Sequence, residues 1–186
     1  MTWARKTNET DIELDFALHG TGNYNIQTPI PFFTHMLEQF AKHGRFNLTL
    51  SVTGDDPHHI IEDVGILLGQ AFSESLTDKT GIERFADSLI PMDETLIQIA
   101  VDISGRSYLG YEVNYPTAIT SGFETEWARD FWMAFLQNAK LTLHIRSLSG
   151  FNTHHMLEAV FKGTAITLRR ALKITGTDLP TTKGVL

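Results

Sequence analysis

Apolar residues recur along this chain with two different periods, and the switches between them mark its elements. Over residues 11–18 Ile12, Leu14, Phe16 and Leu18 alternate with Asp11, Glu13, Asp15 and Ala17, the pattern of a strand with one buried face. Residues 3–7 are expected to pair with it across an Asn8-Glu9-Thr10 turn that places Glu9 at its tip. Residues 20–27 read as a loop or irregular strand, after which Pro29 and Pro31 lead into a helix over residues 32–43. Its Phe33, Met36, Leu37 and Phe40 recur at helical spacing, and Gly44 is the expected C-terminal cap. Residues 46–52 alternate again, Gly54-Asp55-Asp56-Pro57 turns the chain, and a second helix runs to about Leu76. A segment over residues 81–86 carries Arg84.

The second half repeats this plan. Residues 89–103 and 108–113 read as strands around the turn Ser104-Gly105-Arg106, residues 127–139 as a helix, 141–146 as a strand and 153–172 as a helix. The closing helices of the two halves open with related motifs, His58-His59-Ile60-Ile61-Glu62 and His154-His155-Met156-Leu157-Glu158, 96 residues apart (154 minus 58). Together these patterns predict a tandem duplication of one half-domain, whose matching helix starts could come near each other if the halves pack about a pseudo-twofold axis. The expected organisation is one domain over residues 1–186, built from repeats of about 1–88 and 89–186.

On a helix, residues three and four apart share a face, so both histidines of each motif can reach the same side as the glutamate. Imidazole with carboxylate suits a first-row divalent ion. A single such motif is usually a solvated face; its duplication makes a metal site the better reading. His35 in the first half and His144 in the second bring each half to three histidines and one glutamate, leaving His19 and His43 over. The chain has no cysteine, which excludes disulfides and thiolate ligands. A formal net charge of -7 argues against a dedicated nucleic-acid binder. The first ten residues lack the apolar core of a signal peptide and no run reaches membrane-spanning length, so a cytoplasmic protein without membrane contact is expected. Arg84, Arg106 and Lys183 lie in three separate loops, the last beside Thr181 and Thr182; were they to converge they would form a phosphate site.

Five segments, Pro31-Phe32-Phe33-Thr34-His35-Met36-Leu37-Glu38-Gln39, His58-His59-Ile60-Ile61-Glu62-Asp63, Ser104-Gly105-Arg106-Ser107-Tyr108-Leu109-Gly110-Tyr111, His154-His155-Met156-Leu157-Glu158-Ala159 and Pro180-Thr181-Thr182-Lys183-Gly184-Val185-Leu186, closely resemble the imidazoleglycerol-phosphate dehydratase family. They occur in the right order over nearly the whole chain. The resemblance implies a manganese-dependent hydro-lyase of histidine biosynthesis that converts imidazoleglycerol phosphate to imidazoleacetol phosphate and water. It implies two Mn2+ ions per active site, with ligands at His35, His58, His59, Glu62, His144, His154, His155 and Glu158. Substrate contacts fall on Glu9, on the helix from His35 to His43, and on Arg84, Arg106, Thr181, Thr182 and Lys183. Glu9, His59 and Glu158 are the expected catalytic residues. The resemblance also implies an α+β fold, a tandem repeat of a small unit with sheets packed on helices, and a homo-oligomeric shell of 24 subunits with active sites between subunits.

The chemistry accounts for these residue types. The hydrogen to be removed sits on a carbon with no adjacent carbonyl, so it is not acidic. Metal ions at the substrate's imidazole ring can act as Lewis acid and template for loss of the hydroxyl. Glu9 is the candidate general acid and base, and Arg84, Arg106 and Lys183 would fix the reacting end by its phosphate. Ligand histidines must be neutral, so activity is expected to fall below about pH 6.5. Where the family has Asp before the first histidine pair this chain has Pro57, and before His35 it has Thr34; the tail reads Thr181-Thr182-Lys183 in place of Ser-Ser-Lys. Losing two carboxylates that could orient histidines is expected to weaken metal affinity. A dinuclear metal hydrolase of a small phosphorylated substrate and a non-catalytic metal-storing shell are the alternatives. Families of this kind include fusions to a phosphatase, for which these 186 residues leave no room, so a monofunctional enzyme is expected.

Overall fold

The alternation over residues 11–18 becomes β2 (Thr10–Ala17), in which Ile12, Leu14 and Phe16 are buried while Asp11, Glu13 and Asp15 face water. A computed structural model describes residues 1–186. β2 pairs antiparallel with β1 (Thr2–Lys6) on one side and with β4 (Asn47–Gly54) on the other. β3 (Tyr24–Gln27) joins β4 in parallel, giving the order β1-β2-β4-β3. α1 (Pro31–Gly44) precedes β4 and α2 (Pro57–Ser75) follows it.

The second repeat matches strand for strand. β5 (Phe85–Met92), β6 (Thr95–Asp102), β7 (Tyr108–Glu112) and β10 (Thr142–Ser149) form a sheet of order β5-β6-β10-β7, with β7 again the parallel edge. α3 (Thr125–Ala139) precedes β10 and α4 (Thr153–Ala171) follows it. A two-stranded ribbon, β8 (Ile119–Thr120) and β9 (Phe123–Glu124), is inserted before α3 and has no counterpart in the first repeat. The fold is thus a duplicated α+β half-domain. No helix is long and apolar enough to cross a membrane.

The helices pack across the repeat boundary. α1 lies against α4 and α2 against α3, and each also covers its own sheet. One apolar cluster of 47 buried residues therefore draws on both repeats, and neither half has a core of its own. Two glycines set the α2–α3 approach. A Cβ at Gly65 would lie 2.8 Å from the Phe131 carbonyl oxygen, and one at Gly69 only 2.3 Å from that of Phe135. The obstacle is backbone and cannot turn aside, so Gly69→Ala should destabilise by about 3 kcal/mol, the upper part of the overpacking range. A lowered urea midpoint measures this; an unchanged midpoint would contradict the close packing.

Several expectations are corrected. Residues 89–103 are not one strand but a hairpin, β5 and β6, reversing at Asp93, whose φ is 49°, and Glu94. Flanking apolar residues masked the turn. The cap of α1 is Arg45, left-handed at φ 57°, rather than Gly44. Gly44 is required for a different reason: the Phe46 ring lies 2.2 Å from where its Cβ would be. Residues 24–27, read as loop or irregular strand, form the regular strand β3, because β4 offers them a full parallel edge.

Candidate metal and substrate site

The α1–α4 crossing brings three of the expected ligands together. His35 Nε2 lies 3.4 Å and His154 Nε2 3.3 Å from the same oxygen, Glu158 Oε2. Adjacent donors on a six-coordinate ion with bonds of about 2.2 Å stand roughly 3.1 Å apart, so this set fits a divalent first-row ion. Burial pushes the Glu158 carboxyl up, but Lys162 and His35 beside it more than offset that and keep it below the usual range. Lys162 Nζ takes the other oxygen, Oε1. Burial, with Lys162 close by, lowers the His43 ring, so this residue belongs to the same neighbourhood as Glu158. His35, from the first repeat, thus joins the pair of the second.

Both histidine pairs start immediately inside capped helix ends. Asp56 accepts from His58 N at 2.8 Å, and Asn152 accepts from His154 N and His155 N at 3.0 and 3.4 Å. The second histidine of each pair meets a carboxylate at Nδ1. His59 Nδ1 is 2.9 Å from Asp55 Oδ1, and His155 Nδ1 is 2.9 Å from Glu94 Oε2. Such a partner fixes the ring and leaves Nε2 as the free donor. The bond to Asp55 raises the His59 ring above its ordinary value, while that to His155 holds Glu94 down to about 2. Glu9 also approaches His59, with Oε2 4.0 Å from Nδ1. His58 lies between Glu62 Oε2, 4.0 Å from Nε2, and Asp130 Oδ2, 3.7 Å from Nδ1.

Pro57 and Thr34 carry no carboxylate, but the second histidine of each pair has one from elsewhere. Asp55, four residues before His59, serves that ring, and Glu94, on the β5–β6 turn, serves His155. Thr34 instead hydrogen-bonds Thr28 through the two hydroxyls at 2.9 Å, tying down the start of α1. His144 stands apart from the other expected ligands, exposed on β10 with its ring 5.3 Å from that of Tyr108. His58, His59 and Glu62 likewise lie outside the cluster of His35, His154 and Glu158.

The loop cations do converge. Arg84, Arg106, Thr181, Thr182 and Lys183, with Ser104, line one cavity of about 480 Å³. Arg84 is already engaged: Nε and Nη2 donate to the two oxygens of Asp102 at 2.8 and 3.3 Å, and Nη1 to the Pro180 carbonyl at 2.7 Å. It holds the C-terminal segment against the cavity. Arg106, Lys183 and the two threonine hydroxyls remain to receive an anion.

Comparison with known proteins decides the family. A family model for imidazoleglycerol-phosphate dehydratase matches residues 28–168. The chain belongs to the imidazoleglycerol-phosphate dehydratase family. It is 48% identical to the imidazoleglycerol-phosphate dehydratase of Carboxydothermus hydrogenoformans, over 98% of this chain and 96% of that one. With that of Methanococcoides burtonii the identity is 49% over the same shares. The crystal structure of the Staphylococcus aureus imidazoleglycerol-phosphate dehydratase superposes with a TM-score of 0.84 at 36% identity, covering 94% of this chain and all of that one. That from Pyrococcus furiosus gives 0.86 at 36% identity, covering 99% and 100%. As a member of this dehydratase family the protein is a hydro-lyase. The sequence reading missed Asp55, Glu94 and Lys162; of these, Asp55 and Lys162 were visible as residues four from His59 and from Glu158.

Proposed function

We propose that the protein removes water from imidazoleglycerol phosphate to give imidazoleacetol phosphate, a cytoplasmic step of histidine biosynthesis, using two Mn2+ ions. The observation that carries this reading is the gathering of His35, His154 and Glu158 on crossing helices of opposite repeats, in a chain of this family. His35, His154 and Glu158 would hold Mn2+ together with His58, His59, Glu62, His144 and His155. When bound, the metal supplies Lewis acidity and a template at the imidazole ring. The separation of these donors on one chain, and the exposure of His144, support sites completed between subunits of a 24-subunit shell.

The chain's own groups do the rest. Arg106, Lys183, Thr181 and Thr182 bind the phosphate, with Arg84 bracing the loop, and so orient the reacting carbons. Glu9 accepts the proton from carbon and delivers it to the hydroxyl on the neighbouring carbon, which leaves as water; the resulting enol becomes the ketone when its hydroxyl proton is lost and a proton is added at the carbon that bore the leaving hydroxyl. Product analysis tests the reaction class. One ketone per substrate with the phosphate retained is expected. Release of inorganic phosphate would select the hydrolase, and saturable metal binding without turnover the storage shell.

Asp55 yields a pH prediction. Its hydrogen bond keeps His59 protonated to a pH above the ordinary 6.5. A protonated ring cannot ligate, so Mn2+ binding here weakens as pH falls through that raised value, beginning above 6.5. Asp55→Asn should move this loss down toward 6.5 and reduce affinity at pH 8 by about tenfold to hundredfold. Mn2+ titrations over a pH series read both; a profile matching the parent protein would contradict the role of Asp55.

A further inference from the structure

Asp63 is a buried carboxylate that the reaction described above does not use. It follows Glu62 on α2, one turn beyond His59, and its side chain is 9% exposed. Two groups meet it. Arg5 on β1 places Nε 2.9 Å from Oδ1, an ion contact whose N–H is not directed along a hydrogen-bond line. Thr10, the residue after Glu9, donates its hydroxyl to Oδ2.

These contacts close a small frame around Glu9. Thr7 Oγ1 accepts from the backbone N–H of Glu9 at 3.1 Å and of Thr10 at 3.0 Å. The Glu9 carbonyl accepts from Asp55 N at 3.0 Å, and Asp55 in turn holds His59. The tip of the β1–β2 turn is thereby fixed from both sides: through Thr10 and Arg5 to Asp63 on α2, and through its own carbonyl to the loop preceding α2. An ion pair between buried Asp63 and partly exposed Arg5 adds little stability compared with apolar residues of the same volume, so its role is to be sought in geometry. Here the geometry specified is that of Glu9 over the first histidine pair, with its carboxylate 4.0 Å from His59 Nδ1.

We infer that Asp63 is a positioning residue, clamping the β1–β2 turn to α2 through Arg5 and Thr10 so that Glu9 stands at the reacting carbon. The inference rests on Glu9 carrying the proton. Misplacing a reacting group by about 1 Å loses on the order of a hundredfold in rate. Asp63→Asn, in the Mn2+-loaded full-length protein, should therefore lower kcat by about tenfold to hundredfold while KM stays within about threefold. Bound Mn2+ per chain should be unchanged, and amide hydrogen exchange should quicken over residues 7–11 and at Asp55 while the helices keep their protection. Full turnover in Asp63→Asn, or loss of activity together with loss of metal and of helix protection, overturns the inference. If this variant does not fold, Thr10→Val decides. It removes one arm of the clamp, and a threefold to tenfold drop in kcat with KM retained is expected; an unchanged kcat overturns the inference. Glu9→Gln assayed in parallel separates the two ideas. A fully active Glu9→Gln protein removes Glu9 from the reaction and the purpose of the clamp with it, whereas an inactive one beside a fully active Asp63→Asn overturns the clamp alone.

Discussion

Glu158→Gln should empty the proposed metal cluster between α1 and α4 and abolish turnover with it. One oxygen of this carboxylate lies 3.4 Å from His35 and 3.3 Å from His154, so the two rings share it as their common partner. Gln keeps the shape and removes the charge. The cluster then has two imidazoles and no carboxylate, and Lys162, which pairs with the other oxygen, is left as an uncompensated cation beside the site. Loss of a partner that only orients a ligand already weakens metal binding by about tenfold to hundredfold, and loss of the ligand itself should exceed that. Bound Mn2+ per chain after gel filtration should fall in step with activity. Full metal content with full turnover would remove Glu158 from the site.

Glu9→Gln should separate binding from chemistry. The side chain stands at the tip of the β1–β2 turn, half exposed, and reaches the first histidine pair only through the 4.0 Å approach to His59 Nδ1. Gln fills the same space but cannot take a proton. A general acid and base contributes about a hundredfold to ten-thousandfold, so turnover should drop by that factor while metal content and substrate affinity persist. Isothermal titration with substrate, beside steady-state rates, makes the comparison. Undiminished turnover would assign the proton to another group.

The repeat was legible because strand alternation and the His-His-x-x-Glu motif are local signals, each confined to a dozen residues. The partnership of His35 with His154 and Glu158 was not. It depends on α1 crossing α4, a packing decision made by Phe, Leu and Met side chains spread over both halves. Glu94 was hidden twice, by an apolar run that concealed its turn and by the 61 residues separating it from His155. The loop cations were readable as candidates, yet that Arg84 spends its guanidinium on Asp102 and the Pro180 carbonyl follows only from the way the tail folds back. At Pro57 a carboxylate is still within reach of the histidine pair for a local reason. Pro suits the first turn of a helix, and displacing the carboxylate to Asp55 puts it one turn before His59, where it reaches Nδ1.

The central claim is metal-dependent dehydration at the histidine and glutamate clusters. Its most direct test compares turnover of imidazoleglycerol phosphate by chelator-stripped protein with turnover by the same protein after Mn2+ is restored. Ketone formation that is absent without metal and returns with it is the predicted result. Equal rates in both states, or no ketone despite bound Mn2+, would contradict it.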